Sequence, residues 1–194
     1  MLESESETQW LPSIEQKAGD HGLDSSTIEQ VIGEYSDYLL RVAFVYVKNQ
    51  NTAEDIVQDV FIRFYQHGDQ FRNGSSLKTY LVRMTVNRSH DHLRSFAHTR
   101  MILTDRLVSL GRQRSPETIT MDKEVSQDVL SALLALKTQY REVLALYYYD
   151  DWSTVEIAEI LDCPEATVRT RLQRARRQLK DKLEQQEGFS HGFD

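Results

Sequence analysis

Apolar residues recur at steps of three and four along most of this chain, whereas the strict alternation of a half-buried strand is rare. Such steps place side chains on one face of a helix, so the pattern predicts a helical protein. Three helices are predicted in the first half. Their inward-facing residues are Ile28, Val31, Ile32, Tyr35, Leu39, Val42 and Tyr46, then Ile56, Val57, Val60, Phe61 and Phe64, and then Leu77, Tyr80, Leu81, Met84, Thr85 and Leu93.

Capping and turn residues predict where these helices begin and end. Residues 26–29 have capping-box spacing, and the first helix is expected to end near residues 49–51. Thr52 is predicted to open the second helix and Gly68 to end it. A turn at residues 72–76 then leads into the third helix.

The clearest pattern lies near the C-terminal end. Ser153 and Glu156 have capping-box spacing and predict the start of a short helix. A tight turn follows, with Asp162 where many such turns use glycine, and Pro164 suits the first position of the next helix. That helix has a buried stripe made of Val168, Leu172, Ala175, Leu179 and Leu183. A short helix, a tight turn and a second helix with a basic outer face form the helix-turn-helix pattern.

Residues 99–121 lose periodicity and contain Gly111 and Pro116, which is typical of a linker. Its apolar residues 101–110 could form a short helix, and further helices are expected from about Lys123 and over 138–149. The predicted fold class is all-α, with two small helical domains joined by a flexible linker. The predicted divisions are an acidic, disordered extension (1–24), a first helical domain (25–99), the linker (100–121), a second helical domain (122–186) and a tail (187–194).

Charge is spread unevenly along the chain. The net charge of the whole chain is −7, and residues 1–30 alone hold seven acids and one lysine. Residues 72–100 hold six basic residues and one acid, and residues 164–180 have the same balance. Two separate basic segments predict two contacts with a polyanion.

The last basic segment has the layout of a DNA-recognition helix. At 100° per residue, the residues farthest from the buried stripe are Thr170, Gln173, Arg174 and Arg177, flanked by Arg169, Arg171 and Arg176. Arginine donates two hydrogen bonds to guanine, glutamine pairs with adenine, and flanking arginines hold phosphates. The alternative is a basic surface face on an ordinary helix, and the preceding helix and turn favour DNA.

Sites for metals, cofactors and catalysis are not indicated. Cys163 is the single cysteine, and His90 and His92 are two residues apart, so on a helix they point in different directions. The chain lacks a glycine-rich phosphate loop and an arrangement of nucleophile and base. It also lacks a secretory signal pattern and an apolar run long enough to span a membrane, so a cytoplasmic protein is expected.

Two stretches together resemble one protein family. Residues 53–67 (AEDIVQDVFIRFYQH) with 76–94 (SLKTYLVRMTVNRSHDHLR) resemble the second region of bacterial RNA polymerase sigma factors, and residues 140–179 resemble their fourth region. The short chain and the linker in place of a middle domain are similar to the extracytoplasmic-function (ECF, group 4) type of the sigma-70 family. The usual Trp-Leu of the second region is Tyr80-Leu81 here, so a stacking role for that ring is in doubt.

The resemblance implies three sets of site residues. The set that binds the clamp helices of the polymerase β′ subunit is Asp55, Gln58, Asp59, Phe61 and Arg63. The set that binds the minus-10 element is Arg83, Asn87, Arg88, Asp91 and Arg94, in which Asn87 aligns with the residue that holds a flipped base. The set that binds the minus-35 element is Thr167, Arg169, Thr170, Gln173, Arg174 and Arg177.

The resemblance also implies partners. They are core RNA polymerase, through the β′ clamp helices and the β flap, promoter DNA as duplex and single strand, and an anti-sigma factor that controls the chain and can hold it at the membrane. A sigma factor catalyses nothing by itself and needs no cofactor. The alternatives are a dimeric helix-turn-helix repressor or activator, which would more often carry one basic segment, and an all-helical enzyme.

The acidic extension is the part that the resemblance explains least. One hypothesis is that residues 1–24 shield the basic segments and weaken DNA binding by the chain alone. The alternative is a disordered tail that only aids solubility.

Overall fold

A computed structural model describes residues 25–67, 75–104, 127–149 and 151–190. All regular elements in those ranges are α-helices, and the predicted all-α class is confirmed. The helices are α1 (Ser25–Val47), α2 (Gln50–His67), α3 (Leu77–Thr104), α4 (Gln127–Leu134), α5 (Thr138–Tyr149), α6 (Thr154–Ile160) and α7 (Glu165–Ser190). The predicted extension (1–24), most of the predicted linker and the last four residues of the chain lie outside the described residues.

The first unit consists of α1, α2 and α3, each packed against the other two. The helix α1 ends at Val47 because Lys48 has a left-handed backbone, with φ of 56°, and donates its N–H to the Phe44 carbonyl. The helix α2 begins at Gln50, two residues before the predicted start. Its cap is Asn49, whose Oδ1 accepts the Thr52 N–H at 2.9 Å.

The helix α3 is longer than the sequence predicted. It begins after Ser76, whose hydroxyl accepts the Thr79 N–H at 3.1 Å, and it continues to Thr104. Residues 101–104 therefore belong to α3 and not to a separate short helix, and residues 105–110 lie outside the described part of the chain. The first helical unit extends into the segment predicted as linker.

The second unit consists of α4 to α7, and α7 packs against the other three helices. The helix α5 has the predicted limits, and α4 is described from Gln127 onward. The helix α7 runs to Ser190, so it includes residues 187–190 of the predicted tail (187–194).

The two units pack against each other, which the sequence did not predict. The helix α1 contacts α5, and α3 contacts α6, so the buried residues of both units form one continuous core. The Trp152 indole N–H donates to the Tyr38 hydroxyl at 3.1 Å, and the Lys78 ammonium lies about 5 Å from both rings. The basic side chain of Lys78 thus serves the contact between the units.

Candidate nucleic-acid and protein interfaces

The helices α6 and α7 form a helix-turn-helix with a complete capping box. The Ser153 hydroxyl accepts the Glu156 N–H, and the Glu156 carboxylate accepts the Ser153 N–H at 2.8 Å. The Ser153 hydroxyl also donates to this carboxylate at 2.7 Å, and the hydrogen bonds from the hydroxyl and the N–H of Ser153 lower the pKa of Glu156. In the turn, Asp162 has a φ of 48°, so it takes the left-handed conformation that glycine often supplies. Helix α7 begins at Glu165, so Pro164 immediately precedes the helix and does not occupy its first position as predicted. The Pro164 carbonyl accepts the Thr167 N–H at 2.8 Å.

The outer face of α7 carries the residues predicted to bind the minus-35 element. Five of the six are exposed, and Thr167 is half-buried at the start of the helix; the exposed ones are Arg169, Thr170, Gln173, Arg174 and Arg177. Glu165 accepts a hydrogen bond from Arg169 at 2.7 Å and another from the Thr154 hydroxyl. This carboxylate lowers the local positive charge and joins the two helices of the motif.

Two arginines that flank the outer face of α7 contact α5. Arg171 pairs with Glu142 at 3.2 Å, while Arg176 donates to the Tyr148 hydroxyl at 2.8 Å and lies over the Tyr147 and Tyr148 rings. The sequence had placed both arginines as phosphate contacts beside the groove. In this arrangement the side chains of Arg171 and Arg176 both make contacts within the protein.

Tyr140 on α5 reaches the outer face of α7. Desolvation acts to raise the pKa of Tyr140, but hydrogen bonds with Arg174, Gln139 and Gln178 outweigh it and lower the pKa. The phenol of Tyr140 thus lies close to the side chain of Arg174 on the neighbouring helix. No pattern in the sequence marked Tyr140 as a partner of Arg174.

A second polar surface runs along α3. Arg83, Asn87, Asp91 and Arg94 are all exposed, and their spacing of four, four and three places them on one helix face. Asp91 and Arg94 form an exposed pair at 3.5 Å. Arg88 lies on a different side and donates to Asp59 on α2. The structure thus brings together four of the five residues predicted for the minus-10 element and turns Arg88 toward α2.

The two histidines of α3 are in different surroundings. His90 Nε2 lies 3.1 Å from the Glu142 carboxylate, and its ring meets the Tyr46 ring edge to face. Within the described residues, no group of three or more His, Cys, Asp or Glu side chains is placed to hold a metal ion.

A groove between α1 and α2 carries most of the residues predicted to bind polymerase. It has a volume of about 870 Å³ and is lined by Asp55, Gln58 and Phe61, with Glu29, Asp37 and Glu54 adding acidic charge. Phe61 is only 7% exposed, so its ring supports the groove from the core. Asp59 and Arg63 form an ion pair at 3.7 Å, outside the residues that line the groove.

Large exposed apolar side chains in this groove belong to residues that were not predicted as site residues. Ile62 and Tyr65 are 48% and 54% exposed, and Ile32, predicted to face inward, is 39% exposed. Each is an apolar side chain near the edge of a predicted helix stripe, and periodicity alone cannot separate core from groove at such positions. Together with the acidic residues they offer an apolar surface with a negative rim.

None of the helices in the described residues is both long enough and apolar enough to span a membrane.

Two family descriptions match the chain in the order of its two units. Residues 31–99 match sigma-70 region 2, and residues 126–179 match sigma-70 region 4. The chain is 30% identical over 169 residues to the ECF RNA polymerase sigma factor SigW of Bacillus subtilis strain 168, which covers 82% of this chain and 90% of that protein. It is 28% identical over 170 residues to the ECF RNA polymerase sigma-E factor of Escherichia coli strain K12, with coverage of 83% and 88%.

Two solved structures have a similar fold. The sigma factor RpoE of Bartonella quintana, solved with the anti-sigma factor NepR, has a TM-score of 0.65 and 24% identity, covering 80% of this chain and 96% of that one. CnrH, solved with the cytosolic domain of CnrY, has a TM-score of 0.64 and 22% identity, with coverage of 90% and 97%.

Proposed function

The chain belongs to the ECF type of the sigma-70 family of RNA polymerase sigma factors. From this we propose that each of its three surfaces has a separate role in promoter recognition. The outer face of α7 reads the minus-35 duplex, the exposed face of α3 holds the minus-10 strand, and the groove between α1 and α2 binds core polymerase. The observation that carries the proposal is the pair of exposed polar faces on two separate helical units.

The chemistry of α7 suits duplex DNA. Arg174 and Arg177 carry bidentate donors for guanine, and Gln173 carries the donor and acceptor that adenine requires. The capping box and the turn fix α6 against α7, so the reading helix is presented as a rigid body. Arg169 and the hydroxyls of Thr167 and Thr170 supply phosphate contacts at its N-terminal half.

The chemistry of α3 suits a displaced single strand. Asn87 offers an amide donor and acceptor to the edge of a flipped base, and Arg83 and Arg94 lie on the same face to hold phosphates. Asp91 orients Arg94 through their ion pair. Arg88 reaches the strand only by leaving Asp59, so its role depends on exchange of that partner.

The groove between α1 and α2 suits a helix with an apolar stripe and basic flanks. Ile32, Ile62 and Tyr65 would contact the apolar stripe, and Asp55 and the acidic rim would pair with its basic residues. The proposed partner is the clamp-helix coiled coil of the β′ subunit, while the second unit contacts the β flap. The proposed control is an anti-sigma factor, because the related RpoE structure contains one. The proposed place of action is the cytoplasm, or the membrane surface where the anti-sigma factor is membrane-bound.

The test is initiation by bacterial core polymerase reconstituted with the full chain on a promoter library. We expect Arg174→Ala to relax selection at one minus-35 position, at a cost of about 1–3 kcal/mol in discrimination. The control is Lys137→Gln, an exposed cation between α4 and α5, which should leave selection unchanged. Turnover of a substrate, or DNA binding as a dimer with no polymerase association, would contradict the proposal.

The same system separates strand capture from promoter docking. We expect Asn87→Ala to lower the rate of strand opening while the affinity of the closed complex stays the same, because the amide contacts the base only after it leaves the stack. Ser95→Ala, also exposed on α3, is the matched control. Equal loss of closed-complex affinity would show that Asn87 acts before melting.

A further inference from the structure

A second groove, here called the α1–α7 groove, lies between α1 and the helices α4, α5 and α7. Its volume of about 610 Å³ is within the range of roughly 300–1,000 Å³ that is typical of binding pockets. Most of the residues that line it are aliphatic, among them Val45 on α1, Leu133 on α4 and Leu179 and Leu183 on α7. The groove therefore offers an apolar surface built from both units.

The apolar stripe of α7 continues beyond the helices that cover it. Val168, Leu172 and Ala175 are at most 3% exposed, in agreement with the predicted stripe. The last two members of the stripe, Leu179 and Leu183, are only half-buried, and both line the α1–α7 groove. An apolar surface that extends past its packing partners is typical of a site that binds a further segment.

The rim of the α1–α7 groove is basic. Arg41 on α1 and Arg176 and Lys180 on α7 line it, while its exposed carboxylate, Glu184, pairs with Lys180 at 3.5 Å. The other lining carboxylate, Glu142, is 3% exposed and is paired inside the protein. In the groove between α1 and α2, the charged residues of the described lining are all acidic. An acidic segment with apolar side chains thus complements the α1–α7 groove and is repelled by the groove between α1 and α2.

Residues 1–24 have this composition. They hold six acidic residues and one lysine, and they contain a compact apolar cluster that consists of Trp10, Leu11 and Ile14. Pro12 lies within the cluster and restricts its own backbone and that of Leu11. This restriction reduces the conformational entropy that is lost when the cluster becomes ordered.

The segment is long enough to reach the α1–α7 groove from its point of attachment. The first residue of α1 is Ser25, and Arg41 follows 16 positions later, which is about 24 Å along a helix at about 1.5 Å per residue. The chain from Ile14 to Ser25 spans up to about 36 Å at about 3.3 Å per residue. A tether of this length gives an effective concentration on the order of 1 mM.

We propose that the apolar cluster of residues 10–14 binds the α1–α7 groove, so that the chain covers this surface with its own N-terminal segment. The cluster covers the half-buried Leu179 and Leu183, and Glu7 and Glu15 on either side of it pair with the basic rim. A protein that binds in this groove must therefore displace the segment. The proposal does not depend on the assignment of the DNA-reading faces.

Methyl NMR of the full chain tests whether the groove is covered. We expect deletion of residues 2–24, which gives the shortened chain, to shift the methyl resonances of Leu133, Leu179 and Leu183, because the Trp10 ring leaves their surroundings. The internal control is Ile62, which is 48% exposed in the groove between α1 and α2 and should not shift.

A single substitution in the full chain keeps this test valid if the shortened chain loses helical content. We expect Trp10→Ser to shift the same three leucine resonances in the same direction. The matched control is Leu2→Ser, which also removes a large apolar side chain from the segment but lies outside the cluster. It should leave all three resonances unchanged.

A peptide of residues 1–24 added to the shortened chain separates apolar contact from charge. We expect a Kd of about 0.2 mM or tighter, and binding to the full chain at least about five-fold weaker, because its groove is already covered. A peptide with Trp10→Ser and Leu11→Ser keeps the charge and should bind at least about five-fold more weakly to the shortened chain. In the shortened chain, Lys180→Gln should weaken binding, whereas Lys137→Gln, exposed and outside the lining, should not.

Three results would each overturn the proposal. Equal binding of the two peptides would show that charge alone attracts the segment. Shifts at Ile62 and none at the three leucines would place the segment in the groove between α1 and α2. Leucine shifts that disappear on about ten-fold dilution of the full chain would show that a second copy covers the groove. Loss of promoter-directed initiation by reconstituted polymerase would instead contradict the proposed function and leave these binding results intact.

Discussion

Asp162 occupies a backbone conformation that side chains with a Cβ adopt at a cost. Its φ of 48° lies in the turn between α6 and α7, where the Cys163 N–H donates to the Ala158 carbonyl at 3.1 Å. Aspartate tolerates this conformation better than most residues because its short side chain is able to bond locally. The turn predicted around Asp162 thus forms with aspartate in the place of glycine.

We expect the two smallest substitutions at Asp162 to act in different directions. Asp162→Gly should keep or raise the free energy of unfolding, because glycine has no Cβ penalty in this region. Asp162→Ala should lower it by about 1 kcal/mol, because alanine retains the Cβ and cannot bond locally. Urea denaturation measures both, and Asp181→Ala, exposed within α7, is the control. Equal effects of Gly and Ala would show that the aspartate side chain, and not the backbone, determines the stability of the turn.

The roles of single site residues were harder to predict than their exposure. Residues at 170, 173, 174 and 177 face outward on α7, as the 100° rotation per residue required. Periodicity describes one helix at a time, so it could not reveal that Tyr140 contacts Arg174 or that Glu142 holds Arg171. Such contacts depend on which helices become neighbours, which is a tertiary property.

At the level of elements, the pattern of apolar residues predicted the helices better than their ends. The periodic stretches all correspond to helices, and α5 has its predicted limits. The start of α2 was wrong because Asn49 caps it, and an asparagine cap looks the same in sequence as an asparagine in a loop. The length of α3 was wrong because no glycine or proline stops it between residues 77 and 104.

The Asp59–Arg88 ion pair between α2 and α3 links two surfaces that were predicted to have separate functions. Asp59, predicted to bind polymerase, pairs with Arg88, predicted to bind DNA, and both side chains are about one-third exposed. A double-mutant cycle with Asp59→Ala and Arg88→Ala should give a coupling free energy of about 0.5–1 kcal/mol in unfolding experiments. The more exposed Asp91–Arg94 pair within α3 is the control and should couple more weakly. Equal coupling in the two cycles would show that the Asp59–Arg88 pair adds nothing to the packing of α2 on α3.

At the level of the whole molecule, two sequence motifs were sufficient to identify the family. The resemblance seen in residues 53–67, 76–94 and 140–179 is confirmed by the matches to sigma-70 regions 2 and 4. The packing of the two units could not be predicted in the same way. Arg141 and Glu142 are charged residues in an amphipathic helix, and sequence rules assign such residues to the surface. The end of α1 explains the burial of Arg141, and the contacts with Arg171 and His90 explain that of Glu142.

The charge of the whole chain leads to a last prediction, which concerns residues 2–24. They hold six acidic residues and one lysine, so deletion removes a net charge of −5 and leaves the two basic segments unchanged. We expect the deletion to strengthen binding of the chain alone to duplex DNA at about 0.05 M salt, because less negative charge opposes the approach of the polyanion. The gain should fade by about 0.5 M salt, where the screening length is a few ångströms. A variant with the six acids changed to their amides is the matched control, since it removes the charge and keeps the length. If the deletion strengthens binding and the amide variant does not, the segment acts through its bulk; if neither does, the shielding hypothesis is wrong.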